Sequence, residues 1–492
     1  MFFIKAEYVE RSEPEYFVDN VVGTIHQPDV YPFAAHVARR LGCEAIIDIG
    51  CGRGQKLAQL HPEFHVIGID FGDNIEYCAQ HYPFGTWIPC NLEENSQMVL
   101  PTDVVGKAIV VCADVIEHLV NPVPLLALLR GLMAHAPYGI LTTPERDLVR
   151  GAEHFGPPPN LSHVREWNLD ELRTLLQWSG IDVEFSGLTV NNDSALQKRT
   201  SICVLGHGYP NRVPPEFKVI AIMSCYNEAD VIVPSIRYLV EQGVQVYVLD
   251  NWSTDGSYAL AQDQIGNGVI GVERFPATGP SPCYDWNDIL TRVEELAFAL
   301  DANWFIHNDV DEFRESPWEG VSLREAMYRV DWMGFNCVDH TVLNFHPIDN
   351  GYRAGSDVKS YFRHWEWGQR PGHFAQRKAW KKTAQRVKLA ESGGHDVQFA
   401  GRRIFPHNFL TRHFPIRSQN HGETKIFKER KSRWNPSERE KGWHVQYDAL
   451  VPGHSFVCDP AALAAFDDAK FKIEYLVERL SRVGIRREPE RA

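Results

Sequence analysis

Two runs of alternating strand-like and helix-like segments, separated by a Pro- and Gly-rich break, restrict this chain to two α/β bodies in series. Short apolar, β-branched stretches at 44–50 (EAIIDIG), 65–70 (HVIGID), 107–115 (KAIVVCADV) and 138–143 (YGILTT) are bounded by Gly, Pro or Asp and read as buried strands. Helical patterns occupy 121–133 and 168–180, the second opening on an Asn cap and closing at a Gly. This alternation predicts a mostly parallel sheet covered on both faces. Residues 206–216 carry two Gly, three Pro and an Asn, which is linker chemistry. Strand signals then resume at KVIAIMS, 244–250 (VQVYVLD), 268–275 (GVIGVERF) and 302–313 (ANWFIHNDVDEF). The expected division is a first domain over 1–205, a linker over 206–216 and a second domain over 217–492. From about residue 335 the pattern turns irregular, aromatic and basic, until a last helix expected around 459–483. The 492 residues suit two such domains at roughly 100–200 residues or more each.

Charge is unevenly spread. The chain carries a formal net charge of -14, yet residues 359–433 hold 18 Lys or Arg against 5 Asp or Glu. An acidic whole argues against a general polyanion binder, so no nucleic-acid partner is expected, although a nucleic-acid role for the basic stretch stays a rival reading. Ten cysteines without a C-x-x-C pair favour reduced thiols and a cytoplasmic setting. The N-terminus lacks the long apolar core of a signal peptide, and no apolar run approaches about 18 residues, so any membrane contact is expected to be peripheral, at the inner face.

In the first half, Asp48-Ile49-Gly50-Cys51-Gly52-Arg53-Gly54 follows a strand and opens a helical pattern. Glycines there let backbone N–H groups approach a ligand, and the next strand ends at Asp70, a carboxylate placed to accept both hydroxyls of a ribose. The spacing G-x-G-x-G departs from the dinucleotide G-x-G-x-x-G. These residues resemble the first motif of class I S-adenosylmethionine-dependent methyltransferases, over roughly 30–205. The resemblance implies a Rossmann-like sheet with Asp48 near the methionine end, Gly50, Gly52 and Gly54 along the cofactor, and Asp70 at the ribose. It also implies adenine contacts from Asn91 and Leu92 in NLEE, with Asn91 where many relatives have Asp. CADVIEHLVNP at 112–122 resembles the loop facing the methyl acceptor and nominates Asp114, Glu117 and His118. His118 and His163 are candidate general bases for a hydroxyl acceptor, since imidazole suits proton transfer near neutral pH. A bland role, a loop histidine held by hydrogen bonds, is the competing reading for both.

In the second half, strand signals end at Cys225-Tyr226-Asn227-Glu228, at Leu249-Asp250-Asn251-Trp252-Ser253-Thr254-Asp255, and at Asp309-Val310-Asp311. Carboxylates at strand ends lie where open α/β sheets bind ligands. Within a strand, Asp309 and Asp311 would point the same way and share one hard divalent cation. The three motifs in this order resemble family 2-type glycosyltransferases of the GT-A fold, over roughly 217–455. The resemblance implies a nucleotide-sugar site lined by Tyr226, Glu228, Asp250 and Asp255, and Mn²⁺ or Mg²⁺ on Asp309, Asp311 and a late histidine, His413 in preference to His421. It further implies an inverting reaction with a carboxylate base, Asp396 first and Glu366 second, with Asp339 behind them. Arg417, Lys425 and Lys428 are candidates for the departing diphosphate. The aromatic stretch 361–367 is either a sugar-stacking platform or local core.

Taken together, the sequence predicts a fused enzyme that adds a sugar from a nucleotide-sugar donor and a methyl group from S-adenosylmethionine to one glycan or glycolipid acceptor, as in surface polysaccharide assembly. Two alternatives accompany it: a glycosyltransferase with a non-catalytic S-adenosylmethionine-binding domain, or a glycan- or nucleotide-binding module joined to a small-molecule methyltransferase.

Overall fold

The computed structural model describes residues 2–19, 23–94, 98, 100–210 and 212–485. It divides into two compact units, one of Met1–Tyr209 with Asp468–Gly484, the other built on Pro210–Asp467. The second-domain expectation of 217–492 therefore gives up the last two helices. The expected helix over 459–483 is a 3₁₀ turn (Pro460–Ala462), a two-residue strand and two short helices, Asp468–Glu474 and Leu476–Ser481. Leu476, Val477 and Leu480 are buried, and Glu478 pairs with Lys198 of the first unit. Burying that apolar face is what draws the segment back to the first sheet.

The first unit contains β1 (Ala45–Ile49), β2 (His65–Asp70), β3 (Thr86–Pro89), β4 (Ala108–Ala113), β5 (Tyr138–Pro144), β6 (Val183–Val190) and β7 (Lys198–Leu205). They form one sheet in the order β3-β2-β1-β4-β5-β7-β6, parallel except for β7. Strands β1 and β4 are buried throughout, as near-continuous apolar runs covered on both faces should be. The helix Leu169–Trp178 starts at Asn168 with a full capping box to Glu171, which matches its sequence signature. The strand order reverses between β1 and β4, and the carboxyl ends there form the crevice expected to take a ligand.

The second unit contains β8 (Val219–Cys225), β9 (Gln245–Asp250), β10 (Val269–Arg274), β11 (Trp304–Asp309), β12 (Glu312–Glu315), β13 (Cys337–Val338), β14 (His340–Phe345), β15 (His364–Trp367), β16 (Ala379–Lys381), β17 (Phe409–His413) and β18 (Ala464–Ala465). The first sheet has the order β10-β9-β8-β11-β16-β13 and reverses between β8 and β11. The stretch after residue 335, expected to be irregular, supplies a second sheet in the order β12-β17-β14-β15-β18. Its strands are two to six residues long and pair across wide gaps in the chain, His340 with Phe409 for example, so periodicity does not announce them. Phe362 and Trp365 are buried against Phe414 and Phe466, which makes the aromatic stretch part of this core.

Among the described residues no helix is long and apolar enough to cross a membrane. None of the ten cysteines is joined in a disulfide. The basic stretch is largely neutralised by acids drawn from elsewhere in its own unit: Lys359 and Arg412 by Glu315, Lys381 by Asp331, Arg386 by Glu295, Arg417 by Glu228 and Asp230. Much of the surplus of positive charge is thus counter-charge within the fold.

Candidate functional site

In the first unit the glycine turn leaves the carboxyl end of β1. Gly50 and Gly52 have φ of 73° and 55°, and a Cβ on them would come within 2.3 Å of Val115 and 2.6 Å of Asp19. Left-handed backbone and lack of room together require glycine there. The helix that follows is a single turn, Gln55–Ala58, so its dipole contributes little. Asp48 is fully buried, bonded by Tyr31 Oη at 2.7 Å, and burial pushes its carboxyl up to about 7. Its Oδ1 has no hydrogen-bond partner. Asp70 accepts the N–H of Gly52 and of Phe71, each at 2.8 Å, and burial raises it to about 6. Asn91 spends its side-chain oxygen on the N–H of Glu93 at 3.1 Å, while Leu92 is buried. Asp114, at φ 54°, accepts from Thr142 Oγ1 at 2.9 Å and from Gln27. Asp19 was not expected from the sequence; its side chain lies beside the turn and accepts the N–H of Arg53 at 3.3 Å. No motif marks it, because it arrives from the N-terminal segment.

At the carboxyl end of β4 the structure brings Glu117, His118 and His163 together. The two rings meet edge to face with centroids 4.7 Å apart. His118 Nδ1 donates to the carbonyl of Ser162 at 2.9 Å, and His163 Nδ1 donates to Glu166 Oε1 at 2.7 Å. Both Nε2 atoms therefore carry the lone pair, free to take a proton or a ligand. Burial holds His118 down at about 3. Glu117 is fully buried, with Oε2 accepting from Thr143 at 2.8 Å and Oε1 without a partner. Burial, then the neighbouring Asp114, raises its carboxyl well above the ordinary range.

In the second unit β11 ends at Asp309, and Val310-Asp311 turn into β12 of the other sheet. The two aspartates are thus not alternate residues of one strand, and the expected shared face is lost. Asp309 Oδ2 accepts from Lys378 Nζ at 2.7 Å, whereas Asp311 Oδ2 accepts from Lys425 Nζ at 2.9 Å. Burial works to raise both carboxyls, and the lysine charges outweigh it and hold them far below the usual range. Lys425 sits in a π-helix, Thr424–Arg430, and also bonds Glu228 at 2.8 Å. His413 Nδ1 meets Asn344 Oδ1 at 2.9 Å, leaving Nε2 3.8 Å from Asp311 Oδ1. Oxygen and imidazole donors at that separation, with the imidazole oriented by an amide, fit one divalent cation. Asp309 does not join them; it faces Lys378.

The nucleotide-side candidates gather at the carboxyl ends of β8 and β9. Asp250 is fully buried, raised by burial, accepts the N–H of Ser253 at 3.0 Å and leaves Oδ1 unpartnered. Tyr226 lies under the Arg433 guanidinium at 4.5 Å. Glu228 is not a free lining group, because it binds Arg417 and Lys425. Asp255 is exposed and caps Ala229 and Ser257 at 2.9 Å. Arg417 is buried against Glu228, Asp230 and His421, so it anchors the fold instead of facing a diphosphate. Lys428 is exposed. Asp396 is clamped by Arg377 at 3.0 Å, Arg402 at 2.6 Å and Gln398 at 2.7 Å, which takes three of the about four electron pairs of its carboxylate. Asp339 is buried and accepts backbone N–H groups of His340 and Gln376. Glu366 is exposed, bonded to His346 at 3.0 Å, and that bond lowers it. Register places Glu366 opposite Asn344 and Asn344 opposite His413, so it shares their sheet face. Lys378, Glu312 and Asp230 were missed in the sequence; the place of Glu312 directly after the D-x-D was its only local sign.

No family model matches the chain, and no curated protein matches it. Solved structures match its first part. It is similar to the methyltransferase domain of bacterial CtHen1-CN at 20% identity, covering 36% of this chain and 98% of that one with a TM-score of 0.27. It is similar to an S-adenosylmethionine-dependent methyltransferase of Aquifex aeolicus at 16% identity, covering 33% and 81% with a TM-score of 0.25. The magnesium protoporphyrin IX methyltransferase of Synechocystis PCC 6803 with bound S-adenosylhomocysteine is likewise similar at 16% identity, covering 36% and 84% with a TM-score of 0.25.

Proposed function

We propose that the first unit is an S-adenosylmethionine-dependent methyltransferase and that the second transfers a sugar from a nucleotide diphosphate. The carrying observation is the carboxyl end of the first sheet, where the left-handed turn of Gly50, Gly52 and Gly54 runs between two buried aspartates, Asp48 and Asp70. Asp70 keeps electron pairs for a ribose beyond its two backbone bonds, and the unpartnered Asp48 Oδ1 suits a cationic amino-acid end. In the transfer the oxygen of an acceptor hydroxyl attacks the methyl carbon, the carbon–sulfur bond breaks with its electron pair going to sulfur, S-adenosylhomocysteine leaves, and the hydroxyl proton passes to water. The chain's contribution is alignment of the two.

The sugar-transfer reading is supported by the ends of β8, β9 and β11 at the second reversal of strand order, bearing Tyr226, Asp250 and Asp309. Asp311 and His413 would hold Mn²⁺ or Mg²⁺, which when bound supplies positive charge to the departing diphosphate. Lys378 and Lys425 add fixed positive charge beside them. Glu366 is the carboxylate base in preference to the clamped Asp396. A shared glycan or glycolipid acceptor remains the economical link between the two units. The test is a thermal-shift series on the full chain with S-adenosylhomocysteine and with nucleotide sugars plus Mn²⁺. Separate shifts from each ligand class are expected; a shift from the first alone would remove the sugar-transfer half.

A further inference from the structure

The cluster beside the cofactor crevice has the features of a metal centre. Glu117, His118 and His163 offer ligand atoms that all lie within 4.8 Å of one another. Each imidazole has its Nδ1–H committed, one to the Ser162 carbonyl and one to the Glu166 carboxylate, which leaves Nε2 as the ring nitrogen each can offer to an ion. Donation of the second ring nitrogen to a carbonyl or carboxylate is how proteins orient metal-bound histidines. Glu166 is in turn fixed by Nε and Nη2 of Arg150, each at 3.0 Å. The fully buried Glu117 leaves Oε1 without any partner, an arrangement that costs free energy unless a cation or proton meets it. Thr143 holds the other oxygen and so fixes the direction of Oε1. Three elements supply these parts: the loop after β4, the end of β5 and the loop 160–166.

We propose that Glu117, His118 and His163 bind one divalent first-row transition-metal ion, with its remaining positions open to an oxygen of the methyl acceptor. Two imidazoles and one carboxylate are the donor set of open sites for Zn²⁺, Fe²⁺, Co²⁺ or Mn²⁺, and a poor one for Ca²⁺. The site's use in methyl transfer rests on the methyltransferase reading, and it reassigns His118 and His163 from proton acceptors to ligands. The acceptor class it selects is a hydroxyl compound whose oxygen binds the ion.

The test is a Co²⁺ titration of metal-free full-length protein carrying Asp311→Asn, so that the second unit's carboxylate–imidazole pair does not report. One equivalent should bind with a visible ligand-field band and shift two exchangeable imidazole proton resonances, those of the His118 and His163 Nδ1–H groups. Glu117→Gln and His163→Asn should each weaken binding at least about 10-fold, and Glu166→Gln, which keeps every ligand, by about 10-fold. No ligand-field band, or a band unaltered by all three substitutions, overturns the proposal. If the variants fail to fold, the two shifted imidazole signals of the parent protein decide alone, and their absence overturns it. S-adenosylhomocysteine binding is measured on the same samples: binding without Co²⁺ uptake removes the metal site and leaves the methyltransferase reading, while Co²⁺ uptake without it does the reverse.

Discussion

The carboxyl end of the first unit's sheet and the lysine and arginine network around the D-x-D of the second treat buried charge in opposite ways. In the first, Asp48 Oδ1 and Glu117 Oε1 lie buried with no partner, and two imidazole nitrogens keep their lone pairs. In the second, Asp309 and Glu228 are each met by a lysine or arginine. An unpaired buried carboxylate is costly, so the first arrangement marks where a ligand completes the structure. A paired one is already complete, and its removal harms the fold before it harms chemistry. Charge that is buried and open reads as function; charge that is buried and closed reads first as architecture.

The sharpest way to break this contrast is Arg417→Met. It leaves Glu228 and Asp230 without their guanidinium, and urea unfolding of the second unit should show a loss of about 3–5 kcal/mol. A loss below about 1 kcal/mol would mean the network is not architectural. Next in size is the pair Glu366→Gln and Asp396→Asn, assayed for sugar transfer. The first should lower kcat by about 100-fold or more and the second chiefly the melting temperature. The reverse pattern would restore Asp396 as the base despite its two guanidinium partners.

In the first unit, Gly52→Ala brings a Cβ to 2.6 Å from the Asp19 carboxylate at φ 55°. S-adenosylhomocysteine affinity should fall by at least about 10-fold in calorimetry, since the turn must shift. The smallest effect concerns pH. Asp48 and Asp70 titrate near 7 and 6 in the fold against an ordinary value of 3.8, so the folded state binds their protons more tightly. Their contribution therefore lowers stability as pH rises from about 4 to about 7, and Asp48→Asn should flatten that fall in melting scans. His118, held near 3, acts in the opposite direction below its ordinary 6.5, so the variant comparison isolates the carboxylate.

Legibility in the sequence followed the range of the interactions. The parallel strands, the capping box at Asn168 and the break before β8 rest on neighbours in the chain, and the expected segments coincide with them. The meeting of His118 with His163 joins two loops far apart in sequence, and only the residue types hinted at it. Lys378 and Lys425 were unreadable as partners of the D-x-D, because each reaches it from more than 60 residues away. The same holds for the second sheet, whose short strands pair across long gaps, and for Leu476–Ser481, whose apolar face selects the first unit. Asp309 and Asp311 illustrate the opposite error, where a period-two argument was applied across a turn that separates two sheets.

The central claim is that the carboxyl end of the first sheet, at the glycine turn, binds S-adenosylmethionine. Titration calorimetry of the full chain with S-adenosylhomocysteine tests it directly. One equivalent should bind, with affinity lowered about 10-fold or more by Asp70→Asn, which loses the carboxylate at the ribose position. No binding by the unaltered chain, or binding indifferent to Asp70, would contradict it.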